Sequence, residues 1–65
     1  MREAIRDTHN HVLAYYHYEG DGTIRVTDEH QRITGYVTEH GTFDAHRQRV
    51  SWQKEPGLLV PPSAP

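Results

Sequence analysis

Apolar and polar residues alternate with a period of two along most of this chain. Over residues 11–19, Val12, Ala14, Tyr16 and Tyr18 fall on one face and Leu13, Tyr15 and His17 on the other, which predicts a strand covered on both sides and so interior to a sheet. Gly20-Asp21-Gly22 follows, and its glycines permit the positive φ of a tight hairpin. Residues 23–27 then place Ile24 and Val26 inward and Arg25 and Thr27 outward. After a turn at residues 28–31, the run 32–39 puts Ile33, Gly35 and Val37 on the core face and Arg32, Thr34, Tyr36 and Thr38 on the other, with the glycine marking a bulge or a close backbone crossing. A turn at His40-Gly41, a short strand over 42–44 supplying Phe43, and a last strand over 48–53 with Val50 and Trp52 inward complete the series. The expected fold is all-β: an antiparallel meander of five or six short strands, forming a curved sheet or small open barrel in residues 1–54. An SH3-like barrel is the alternative topology.

A threefold echo supports this. Asp7-Thr8-His9 before Val12 and Tyr15, Asp28-Glu29-His30 before Ile33 and Tyr36, and Asp44-Ala45-His46 before Val50 and Trp52 share one order: Asp, any residue, His, a polar step, a branched residue, then an aromatic. An Asp carboxylate can accept the backbone N–H two residues on and so start a turn, while β-branched and aromatic residues suit the strand behind it. The three histidines occupy equivalent turn positions, where a left-handed backbone is tolerated by His.

Composition limits how such a meander is stabilised. A 65-residue domain buries only about 60% of the surface its unfolded chain exposes, and Leu, Ile, Val and Phe number only 12 here. Net charge is −2, so repulsion does not hold the chain open and folding with a thin core is expected. Small domains usually add disulfides, a metal or a partner subunit. Cysteine is absent, which leaves a metal or self-association, and a homo-oligomer is the expectation. The charged start, with Arg2, Glu3, Arg6 and Asp7, reads as no secretory signal, and no run approaches the roughly 20 apolar residues of a membrane span. A cytoplasmic protein with no membrane partner is expected.

Residues 55–65 differ in character, with four prolines around Leu58-Leu59-Val60. Proline cannot donate to a sheet ladder, so this stretch reads as a Pro-rich tail, or as an arm laying Leu58, Leu59 and Val60 on a neighbouring subunit. With Leu13 and Tyr15, these form the candidate oligomer interface.

The run Val26-Thr27-Asp28-Glu29-His30-Gln31-Arg32-Ile33-Thr34-Gly35-Tyr36 resembles the repeated hairpins of small four-fold beta-flower domains and, more distantly, the tyrosine-aspartate repeats of bacterial shell-forming proteins. The likeness spans roughly residues 7–52. It implies a repetitive β-meander and brings no catalytic residues. Those repeats normally carry Gly where this chain has His30 or Arg47.

Candidate chemistry is sparse. His9 and His11, two apart, would face one way on an extended segment, and His17 or His40 could complete a set of imidazoles at a metal. No matched second pair or carboxylate stands at diagnostic spacing, so the histidines read as turn and surface residues, with no metal and no cofactor. Arg25, Arg32 and Arg49 fall outward with Tyr36, a combination of charge and stacking that suits single-stranded nucleic acid or a phosphorylated ligand. Nine acidic against seven basic residues argue against nucleic acid, whose modules are usually strongly basic. No glycine-flanked nucleophile or phosphate-cradling loop is present, and no residue is assigned as catalytic. An active site could arise only where an oligomer multiplies a residue such as Tyr36 or His17 on its symmetry axis. The expected function is a self-associating interaction or accessory module without catalysis, with a protein partner open. Nucleic-acid or phosphorylated-ligand binding through the Arg/Tyr face is the alternative.

Overall fold

A computed structural model describes residues 1–61; the last four residues of the proline-rich segment lie outside the described residues. Six antiparallel strands form one sheet in chain order: β1 (Arg2–Arg6), β2 (Val12–Tyr18), β3 (Ile24–Asp28), β4 (Ile33–Thr38), β5 (Gly41–Asp44) and β6 (Arg49–Ser51). A 3-10 turn, η1 (Pro56–Leu59), follows. The meander is all-β, as its periodicity predicts, but β1 and β6 do not pair and the sheet stays open, so the SH3-like barrel is ruled out. The strand β1 is not legible in the sequence, because Ile5 is its only large apolar residue; as an edge strand it pairs with β2 alone. Among the described residues no helix is long and apolar enough to cross a membrane.

The three echoed turns share one hydrogen-bond pattern. Asp7, Asp28 and Asp44 each accept, at Oδ1, the backbone N–H two residues on (His9, His30, His46) at 2.8–2.9 Å and the one four residues on (His11, Arg32, Gln48) at 2.9 Å. The residue after each histidine, Asn10, Gln31 or Arg47, takes φ between 63° and 67°. This is the three-residue hairpin, a type I turn closed by a left-handed residue. The left-handed position therefore falls one residue later than expected, and each histidine is tied to the turn through its backbone N–H. Connecting β1 to β2, β3 to β4 and β5 to β6, the three turns lie at the same end of the meander.

One face of the sheet holds the core. Ala14, Val26 and Val37 are fully shielded, and Ile5, Tyr16 and Ile24 pack around them. Leu59 folds back from η1 onto this face and is 8% exposed, with Val60 against the same cluster. Gly35 is its socket: a Cβ there would stand 2.6 Å from Leu59 Cδ2 and against the Phe43 carbonyl oxygen. The glycine thus marks a close crossing, and a bulge lies beside it, because Val26 pairs Gly35 while Thr27 pairs Ile33. Buried Thr42 guides the returning chain, donating from Oγ1 to the Gln53 carbonyl (2.7 Å) and accepting from Glu55 N–H (2.8 Å).

Bulges also correct the inward residues expected near the chain's end. Ile33 is moved off the core by the β3–β4 bulge and is exposed. Thr42 pairs with Val37 and so takes the core position, while Phe43 pairs with Tyr36 on the opposite face; a second bulge pairs Thr42 with Ser51 but Phe43 with Arg49. Val50, left between the two pairings, is 49% exposed, and Trp52 is 79% exposed. Each added residue reverses the parity of the strand positions beyond it, a change that plain alternation cannot foresee.

Candidate functional site

Among the described residues none forms a covering layer on the face opposite the core. Its register aligns one residue from every strand: Arg2 opposite His17, His17 opposite Arg25, Arg25 opposite Tyr36, Tyr36 opposite Phe43, and Phe43 opposite Arg49. With strands about 4.8 Å apart, this ladder of cationic and ring side chains runs roughly 24 Å across the sheet. Each side chain is where it is because the two-residue period of its strand sends core residues to the other side.

Guanidinium groups rest on rings along this ladder. Arg2 lies 4.6 Å from the Tyr15 centroid, Arg47 5.0 Å from Tyr36, and Arg49 5.2 Å from Phe43 and 3.7 Å from Trp52. Such stacking uses the plane of the guanidinium and leaves its N–H edge for an anion. Arg25 differs, with Nε 3.3 Å from Glu19 Oε1; that nitrogen is shielded from solvent without a hydrogen bond.

The carboxylates are accounted for elsewhere. Asp7, Asp28 and Asp44 hold turns, Asp21 accepts the Thr23 N–H, Glu3 accepts the Tyr18 hydroxyl at 2.6 Å and Glu55 the Ser51 hydroxyl at 2.6 Å. Glu29 and Glu39 lie beside His30 and His40 at the turn tips. Among the described residues Arg25 is the only arginine in an ion pair with a carboxylate. The backbone N–H groups of Thr23 and of Arg32 hold the Asp21 and Asp28 carboxyls below their ordinary range.

His17 sits between two arginines of the ladder. Burial, then the charges of Arg25 and Arg2, lower its pKa from the ordinary value, against an opposing pull from Glu19. Its Nε2 is 3.0 Å from the Thr27 hydroxyl. A neutral ring here avoids a third adjacent positive charge.

Beside the ladder, a cleft of about 450 Å³ opens over Arg25, Tyr36 and Phe43, walled by Glu19, Arg47 and His40. Its size matches the usual range for small-ligand sites. An exposed guanidinium-on-ring stack is worth about 0.5–1 kcal/mol, whereas a nucleobase gains about 1–3 kcal/mol on such a ring. The rings are therefore not locked by their own arginines.

The sequence-predicted site is partly brought together. Arg25, Tyr36 and Arg49 share the ladder; Arg32 does not, lying in the β3–β4 turn, where its backbone N–H bonds Asp28. Arg2, Arg47, Phe43 and Trp52 escape a reading of the sequence as site residues, because their signal is the pairing register, which no single segment displays; His17 is a candidate there, but for a metal or a symmetry axis and not for this face. The five residues of the expected oligomer interface form no single surface. Leu59 and Val60 lie on the core face, Leu58 is 59% exposed, Leu13 stands at the β1–β2 bulge, and Tyr15 lies under Arg2 on the opposite face. Among the described residues no three His, Asp or Glu side chains converge as metal ligands; His9 and His11 come within 6.3 Å, ring to ring. The chain matches no family model, no characterised protein and no solved structure, and the reading of the site rests on its own geometry.

Proposed function

We propose that this protein is an interaction module without intrinsic catalysis, and that the open face of its sheet is the recognition surface. One observation carries this reading: the guanidinium carbons of Arg2, Arg47 and Arg49 stand over aromatic rings, with no carboxylate partner among the described residues. A partner bearing spaced negative charge meets their free edges. The test is an amide-resolved NMR titration of the isotope-labelled protein with three polyanions in turn: oligothymidylate, polyglutamate and inorganic polyphosphate. At least one is expected to shift the signals of Arg2, Arg25, Tyr36 and Arg49 while leaving Val26 and Val37 in place. Silence from all three, or shifts confined to the core face, would refute the reading.

Self-association is a second part of the proposal, supported by Val50, Leu58, Val60 and Pro61 around an apolar groove beside β6. Both sheet edges are blunted against backbone pairing, β1 by Arg2, Glu3 and Arg6 and β6 by its three-residue length and bulge. Contact between copies would then use these apolar side chains. Light scattering on the full chain and on Leu58→Glu tests it: a multimer that the substitution dissociates supports it, and a monomeric parent chain contradicts it.

A further inference from the structure

We infer that the open face binds single-stranded nucleic acid, laid across the strands with its bases on the rings of the ladder. This rests on the open face being the recognition surface and names its occupant.

Three observations converge. The first is the combination of charge and ring in one row, where Arg2, Arg25 and Arg49 are spaced by His17 and by the neighbouring rings Tyr36 and Phe43. A strand of nucleic acid offers both partners, one phosphate and one planar base per residue. The second is the state of the arginines: Arg2, Arg47 and Arg49 are stacked on Tyr15, Tyr36 and the Phe43–Trp52 pair. A guanidinium so placed can itself carry a base on its outer plane while donating N–H groups to a phosphate. The third is the distribution of charge. A net charge of −2 taken alone disfavours a polyanion, but the carboxylates, which keep their charge, stand mostly in the turns and away from the ladder, and only Glu19 and Asp21 wall the cleft beside it. The face itself is basic.

The competing occupants fit less of this surface. An acidic peptide or polyphosphate would engage the guanidinium edges but leave the rings without planar partners. A double helix keeps its bases stacked inward, so Tyr36, Phe43 and Trp52 could not reach them; a broad sheet presenting rings is suited to unstacked bases.

Trp52 is the chain's single tryptophan, so its emission reports directly on the face. The experiment titrates the full chain with an oligothymidylate of about 12 nucleotides, within the range that one small β-module occupies. Parallel arms use a duplex of the same length, polyglutamate and inorganic polyphosphate. Single strand should quench Trp52 and bind at least tenfold more tightly than any other arm. Three phosphate contacts predict a slope of about −2 in the log–log dependence of affinity on salt. Tyr36→Ala should weaken binding about tenfold or more, Tyr36→Phe should retain it, and Arg49→Glu should abolish it in a chain that still melts cooperatively. Equal or tighter binding of polyglutamate, polyphosphate or duplex would overturn the nucleic-acid inference while leaving the recognition face standing. Loss on Tyr36→Phe equal to that on Tyr36→Ala would overturn the stacking role. Failure of every arm would overturn both.

Discussion

The two faces of this sheet are built from the same strands by opposite means. The closed face spends small and branched side chains, Ala14, Val26, Val37 and Gly35, and completes itself with Leu59 from the chain's end. The open face presents long cations on rings and, among the described residues, has no second layer. The closed face leaves no room, so a single atom matters there; the open face is held by contacts worth little each, so its side chains can change partner at small cost to the fold. Stability lives on one side and recognition is proposed for the other.

The largest expected effects break the closed face. Leu59→Ala removes the side chain seated on Gly35 and should cost about 2–5 kcal/mol, against a total of roughly 3–10 kcal/mol for a domain of this length; urea unfolding would show a midpoint well below that of the parent chain. Gly35→Ala should be at least as severe, since its Cβ meets the Phe43 carbonyl as well as Leu59 and backbone cannot give way as a side chain can.

Turns come next. Asp28→Ala removes an acceptor that holds two backbone N–H groups and should lower stability by about 1–3 kcal/mol. Gln31→Gly should raise it by about 1 kcal/mol, because Gln31 stands at φ 64°, where a side chain costs roughly that much. Opposite signs at neighbouring sites of one turn, read by denaturant unfolding, would sharpen the account of the repeat.

A smaller effect is expected from pH. Burial and the flanking Arg25 and Arg2 lower the His17 pKa in the fold, so the unfolded chain takes up a proton more readily. The contribution of the neutral ring is complete above about pH 6.5 and is lost as pH falls through that value and then through the lower folded pKa. NMR titration of the six histidines should find His17 with a pKa below the ordinary value, and His17→Gln should flatten the acid side of the stability curve. Smallest of all, Arg49→Ala should change stability by no more than about 0.5–1 kcal/mol, the worth of its exposed ring contacts.

What the sequence displays and what it hides divide along the same line. The Asp7, Asp28 and Asp44 turns are readable because an Asp bonding an amide two residues on is a local event, carried within five residues. The faces of β2 and β3 are readable because no bulge interrupts their pairing. Ile33, Val50 and Trp52 are misplaced by alternation because bulges, invisible in it, reverse the parity of a strand. Arg2 and Arg47 are hidden because their partners, Tyr15 and Tyr36, lie on other strands. Leu59 reads as part of a tail because the signal for its place is Gly35, 24 residues earlier, and only the folded sheet joins them.

The separation of the two faces is tested most directly by a double substitution, Arg2→Glu with Arg49→Glu, with thermal melting and Trp52-detected titration on the same sample. The account predicts a loss of stability of no more than about 1–2 kcal/mol together with complete loss of polyanion binding. A chain destabilised as strongly as Leu59→Ala, or one that melts normally and still binds, would contradict it.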